Sequence, residues 1–244
     1  MSHSPLSVEE WRAVLAGEPA GAAAALFDAA QGGDRLAALH YGQCLLDGHG
    51  VDTDPQGAFR WFVQAAQSGL APAMNMVGRC LDQGWGVDQT PHLAASWFAA
   101  AADKGDVWGL YNYATALTLG RGVEQDCAHA LELFRRAAAM GHAKSQNMIG
   151  SFHEDGWEVP VNLNIAAYHY ARAAEGGDFR GCFNHARMEI AHGRLEVAQR
   201  WLAEAARLGH ARFRHQMAQW LNGREEESLR RFADQILSTD MTPA

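Results

Sequence analysis

The sequence predicts an all-α solenoid of stacked helix pairs, and three observations carry that prediction. Equivalent residues recur every 36 positions, as in Gly33, Gly69, Gly105, Gly141 and Gly177, or Phe62, Phe98, Phe134 and Tyr170. Alanine pairs keep the same spacing at Ala65-Ala66, Ala101-Ala102, Ala137-Ala138 and Ala173-Ala174, as do Val51, Val87, Val123 and Val159. Helix stop and start signals recur inside every period, so each unit holds two helices, A and B. A fixed period of this size marks an array in which each unit buries its apolar face only against its neighbours.

Residues 1–33 read as an N-terminal capping pair. Ser7-Val8-Glu9-Glu10 is a capping-box pattern, and Trp11, Val14 and Leu15 follow on one helical face until Gly17. Pro19 suits the first turn of the next helix, which runs to Gly32-Gly33. Four full units fill 34–69, 70–105, 106–141 and 142–177. Helix A of the second runs from about Pro72 to Gln83 and ends at Gly84-Trp85-Gly86, where paired glycines permit a sharp exit. The matching loops are Gly48-His49-Gly50 and Gly120-Arg121-Gly122, while Gly156-Trp157-Glu158 departs from the pattern. Helix B starts after Asp54, Thr90, Asp126 or Asn162, all good N-caps. Ala58, Ala94, Ala130 and Ala166 are expected to bring helix B close to Gly42 and Gly78. The unit at 178–209 is shorter by four residues in its loop. Residues 210–221 give one more helix A, 224–237 a polar closing helix, and 238–244 a frayed tail. One continuous array of about fourteen helices, without β-sheet, is expected.

Composition narrows the function. The net charge of −8 argues against a nucleic-acid backbone as partner, which needs clustered Lys and Arg. No apolar run approaches the roughly 18 residues of a membrane span. The opening MSHSPLSVEEWRAVL lacks the basic-then-apolar layout of a secretory signal. Cys44, Cys80, Cys127 and Cys182 are scattered. Cys44 and Cys80 sit on neighbouring helices whose axes lie roughly 8–10 Å apart, beyond the reach of a relaxed disulfide. A reduced, cytoplasmic monomer without metal or cofactor is expected.

The unit resembles the Sel1-like repeat, a longer-looped relative of the tetratricopeptide repeat. Gly78, Gly84-Trp85-Gly86-Val87, Ala94, Trp97, Ala101-Ala102 and Gly105 carry the resemblance in the second unit, and the other units match almost as well. The family's tyrosine position is filled instead by Leu45, Leu81, Leu117 and His153. The resemblance implies a right-handed α/α superhelix whose helices A line a concave surface, and an adaptor that holds other proteins. It implies, as alternatives, an accessory protein that stabilises a partner enzyme, or a hydrolase of the kind proposed for secreted, cysteine-rich relatives. The regular cysteine pairs of that secreted subset are absent here.

No catalytic signature supports the hydrolase. Twelve histidines are present, yet none shows the HExxH spacing of a metal site, and His153-Glu154-Asp155 ends a helix as a fragment at most. The Gly-x-Gly loops close helices, so they offer no helix N-terminus to a phosphate. Trp85 and Trp157 share one loop site; they are expected to fold over Val87 and Val159, the alternative being an exposed aromatic stripe.

The polar residues of helices A are more informative. Asn75, Asn112, Asn147 and Asn184 are spaced 37, 35 and 37 apart, around one face. Asparagine can donate and accept together, matching the backbone of an extended peptide. The alternative is that these side chains tie neighbouring helices together. One turn onward stand Arg79, Thr115, Ser151 and Arg187; Lys144 and Arg180 start their helices on the same side. Tyr111 joins the same surface, with Asp82 and Glu154 at its margin. These thirteen residues form the candidate peptide-binding face, with the arginines meeting acidic groups. As surface groups they are expected to tolerate truncation at little cost to the fold.

Overall fold

A computed structural model describes residue 14 and residues 16–238, and among these every regular element is helical. The capping helix expected at 7–16 lies outside the described residues except for Val14 and Ala16, as does the tail from 239 onward. Thirteen helices are seen among the described residues. They are α1 (Pro19–Gln31), α2 (Arg35–Asp47), α3 (Pro55–Gln67), α4 (Ala71–Gln83), α5 (Pro91–Asp103), α6 (Val107–Leu119), α7 (Cys127–Ala139), α8 (Ala143–Asp155), α9 (Leu163–Glu175), α10 (Phe179–Ala191), α11 (Leu195–Leu208), α12 (Ala211–Asn222) and α13 (Glu227–Ser238). They fall into two compact units, one up to Ala130 and one from Leu131 on.

In the first unit each helix from α1 to α6 packs on the next, and α4 also touches α6. In the second, α8 packs on α9, α9 on α10 and α10 on α11, with α8 also against α10. Within each unit, therefore, one pair of successive helices A is in contact, α4 with α6 and α8 with α10. Each unit has its own apolar core, with Phe62, Val77, Cys80 and Phe98 in the first and Leu202, Met217, Leu221 and Leu229 in the second.

The helix ends follow local chemistry. Asp54 accepts from Gly57 N at 2.9 Å, Asp126 from His129 N at 2.9 Å, and Asn162 from Asn164 N and Ile165 N at 3.1 Å. Thr90 departs from this pattern. It occupies the N-cap of α5, but its hydroxyl donates to the Asp88 carbonyl at 3.1 Å and makes no cap bond. Gly84 ends α4 in the left-handed conformation, at φ 76°. Gly86 has a second reason to be glycine, since a Cβ there would fall 2.1 Å from the Pro55 carbonyl oxygen. The closing helix starts at Glu227, three residues later than expected, and Arg224 lies in the turn before it with its guanidinium 4.0 Å over the Trp220 ring of α12.

The small residues of helix A make room for rings, and at Gly78 the Ala94 carbonyl also comes close, 3.2 Å from where a Cβ would stand. A Cβ on Gly78 would fall 2.6 Å from the Phe98 ring, and one on Gly150 would fall 2.5 Å from the Tyr170 ring. Ala58, Ala94 and Ala166 are buried alongside, but the aromatic side chain of helix B fills the space that the missing side chain leaves.

Candidate interaction groove

In the first unit, α4 and α6 stand side by side and present the same face. Asn112 Nδ2 donates to Asn75 Oδ1 at 2.7 Å, joining the two helices. Asn75 is only 6% exposed, so it is an internal tie and not a surface group. One turn along α4, the Arg79 guanidinium lies 4.8 Å over the Trp85 ring, and its Nη1 approaches Met76 Sδ at 3.6 Å. No carboxylate pairs with Arg79 among the described residues. Asp82 is held differently. It pairs with Arg121 Nε at 3.0 Å, and Arg121 Nη2 also donates to the Asp82 carbonyl at 3.0 Å. Thr115 donates its hydroxyl to the Tyr111 carbonyl at 2.8 Å, and the Tyr111 ring meets Trp108 edge-on at 6.2 Å.

These residues line an open groove of about 250 Å³, whose walls are Arg79, Asp82 and Trp85 from one repeat and Asn112, Thr115 and Arg121 from the next. Four of the thirteen predicted residues thus share one cavity. Arg121 is an addition. Its place in the Gly-x-Gly loop suggested only a turn, and the 39-residue separation from Asp82 hid the pairing.

In the second unit the equivalent residues are knitted together. Asn184 Nδ2 donates to Asn147 Oδ1 at 2.9 Å, and Asn147 is 6% exposed. Ser151 donates to the Asn147 carbonyl at 3.4 Å. Arg187 donates to Asn184 Oδ1 at 2.9 Å and to Glu154 Oε1 at 2.5 Å. The Tyr170 hydroxyl donates to Glu154 Oε2 at 2.6 Å, and its pKa is pushed up by burial and then by that carboxylate. Arg187 therefore spends its charge on Glu154, whereas Arg79 keeps its own. Lys144 and Arg180 serve another group: burial pushes the Asp178 carboxyl up, opposed by the Gly181 N–H and by these two cations. Asp178 caps α10 through Gly181 N at 2.8 Å.

The two tryptophans have different fates. Trp85 is half-buried beneath Arg79, as packing predicts, whereas Trp157 is 42% exposed with one edge against Phe152. The residue in Arg79's place is Ser151, which is too short to cover an indole.

His153 and Glu154 do not act together. The buried His153 ring stacks on His169 at 6.2 Å, while Glu154 faces Arg187 and Tyr170. Burial is the main cause holding both histidines below the usual imidazole range, with Arg135 and, for His169, the neighbouring His153 adding to it. Among the described residues no cluster of three His, Cys, Asp or Glu side chains is placed to hold a metal ion. No helix among them is long and apolar enough to cross a membrane. All four cysteines are free thiols; burial raises Cys80 to about 11 and Cys182 to about 12.

The Sel1 repeat model matches residues 35–70, 71–106, 109–142, 143–178 and 195–210. The gap at 179–194 coincides with helix A of the shortened unit. No curated protein matches the sequence. Among solved structures, a Sel1 repeat protein from Oxalobacter formigenes is similar, with a TM-score of 0.80 and 24% identity over 94% of this chain and 98% of that one. A protective antigen present in uropathogenic Escherichia coli strains, displaying an SLR fold, aligns with a TM-score of 0.68 and 25% identity. That alignment covers 89% of this chain but 48% of the antigen, about half its length. An immunity protein from Pseudomonas aeruginosa aligns with a TM-score of 0.57 and 16% identity over 84% of each chain. These likenesses are likenesses of fold.

Proposed function

This chain belongs to the Sel1 repeat family, and on that premise we propose that it is a non-enzymatic interaction scaffold that holds a peptide or protein segment on its helix A faces. The observation that carries this reading is the groove between α4 and α6, where Arg79 stands over Trp85 with no carboxylate paired to it among the described residues. An extended segment laid there meets an apolar wall, the Asn112 amide and an unneutralised guanidinium. Its acidic side chain pairs with Arg79, the kind of charge-assisted bond that is strongest when bidentate. Four free thiols suit a reducing, cytoplasmic setting, and a monomer leaves the groove open.

Arg79→Glu tests it, since the change reverses the groove's charge at a half-buried position that makes no ion pair among the described residues. Tagged protein and variant are used to capture partners from the source cell, and bound proteins are identified by mass spectrometry. The expected result is a partner retained by the native protein and lost with the variant, while circular dichroism shows equal helix content. Identical capture by both places the partner surface elsewhere, and capture of nothing above background ends the scaffold reading.

A further inference from the structure

The fourth repeat carries an exposed apolar strip that its siblings lack. Trp157 (42% exposed), Val161 (61%), Leu163 (55%), Ile165 (38%) and Tyr168 (61%) all fall in the loop after α8 and the first two turns of α9. The other repeats show what the frame itself requires at these places. Positions matching Val161 hold Thr53, Gln89 and Gln125, and those matching Tyr168 hold Arg60, Ser96 and Glu132. All six are exposed, so the fold demands no apolar side chain at either position. Leu163 stands where Pro55 and Pro91 start their helices, a position that proline suits better. Single exposed apolar side chains need no explanation, but five within twelve residues of one repeat are a concentration of the kind that marks an interaction site.

Charge decides what sits on it. Asp155 and Glu158 flank Trp157; both are exposed, and neither joins an ion pair among the described residues. Glu158 replaces the glycine of the other loops (Gly50, Gly86, Gly122) and is held at φ 56°, a left-handed backbone that favours glycine. The chain thus keeps a carboxylate beside the tryptophan at a conformational cost, as strained residues at binding sites do.

The geometry points to a second docking surface on this repeat, for an amphipathic protein segment that carries Lys or Arg beside its apolar residues. The apolar face of that segment covers Trp157, Val161, Leu163, Ile165 and Tyr168, and its cations meet Asp155 and Glu158. A second copy of this chain fits less well, because a self-complementary contact sets the same carboxylates against each other. An anionic lipid surface meets the same repulsion. None of the groove residues around Arg79 takes part, so this surface stands or falls independently of the proposed function.

The probe is a fluorescein-labelled helical peptide of Leu and Lys, with a Leu and Glu counterpart, measured by anisotropy. Two variants borrow residues that the other repeats already hold at these positions. Val161→Gln with Tyr168→Ser removes apolar surface, and Asp155→Gln with Glu158→Gly removes charge. The native protein is expected to bind the Lys peptide, and any binding of the Glu peptide is expected to be lost with Arg79→Glu, since it belongs to the groove. Each variant is expected to raise the Kd of the Lys peptide by about tenfold or more, while Arg79→Glu binds that peptide as the native protein does. Failure of the native protein to bind, or unchanged binding in both variants, overturns the proposal. Binding to phosphatidylglycerol vesicles that Val161→Gln with Tyr168→Ser abolishes replaces it with a membrane face. A dimer in sedimentation equilibrium that the same variant dissolves replaces it with self-association.

Discussion

Ala101 is fully buried on α5, and its methyl lies 2.6 Å from where a Cβ on Gly109 of α6 would stand. The contact recurs between Ala173 of α9 and Gly181 of α10, at 2.4 Å. Three added carbons have nowhere to go. Ala101→Leu is therefore expected to destabilise the protein by about 1–3 kcal/mol, seen as a lower Tm with an unchanged helical spectrum. An unaltered Tm would show that α5 and α6 can part at no cost. The alanine pairs were legible in the sequence because their period is unbroken. Their partners were not, since Gly109 and Gly181 lie on a different helix and recur at 72 residues, not 36. A similar gap hid the rings of Phe62 and Phe98, which stand nearest to Gly42 and Gly78, with the Ala94 backbone beside the second of them.

At the scale of the helix, the asparagines of neighbouring helices A behave as rungs. Their spacing showed that they alternate between two adjacent positions of one face, but not which position is buried, as Asn75 and Asn147 are, and which is half-open, as Asn112 and Asn184 are. Which position is covered depends on packing against neighbouring helices, to which local pattern is blind. Truncation is consequently not the mild surface change expected from the sequence. Asn112→Ala removes the donor from the buried Asn75 Oδ1. A buried acceptor left unmade costs about 1–3 kcal/mol, so urea unfolding should shift to a lower midpoint. The N-caps show the same boundary between legible and hidden. Asp54, Asp126 and Asn162 act as their residue types imply, whereas the Thr90 hydroxyl donates to the Asp88 carbonyl and accepts no cap bond.

Across the whole molecule the acid response is uneven. His142, His153, His169 and His185 are all held below the usual imidazole range, burial being the largest cause for each, and His142 is lowered to about 4. All four lie in the unit from Leu131 on. A histidine with a depressed folded pKa binds its proton more readily in the unfolded chain, so stability rises with pH between the two values. For His142 the contribution is fully present above about 6.5, the unfolded value, and is lost as pH falls through that value toward about 4. Asp106 and Asp178 pull the other way, since burial raises their pKa and protonation relieves the folded state. An aspartate in the unfolded chain titrates at about 3.9, and four lowered histidines stand against these two carboxyls, so the histidines are expected to dominate from pH 7 to 5. The Tm is expected to fall over that range, and limited proteolysis at pH 5 should cut first beyond residue 131. His142→Gln cannot take up the proton, so it should flatten the slope even if it lowers Tm at pH 7. A Tm that holds level from pH 7 to 5 would mean that these rings are hydrated when the chain is folded, and first cuts before residue 131 would mean that the acid-sensitive groups lie in the other unit.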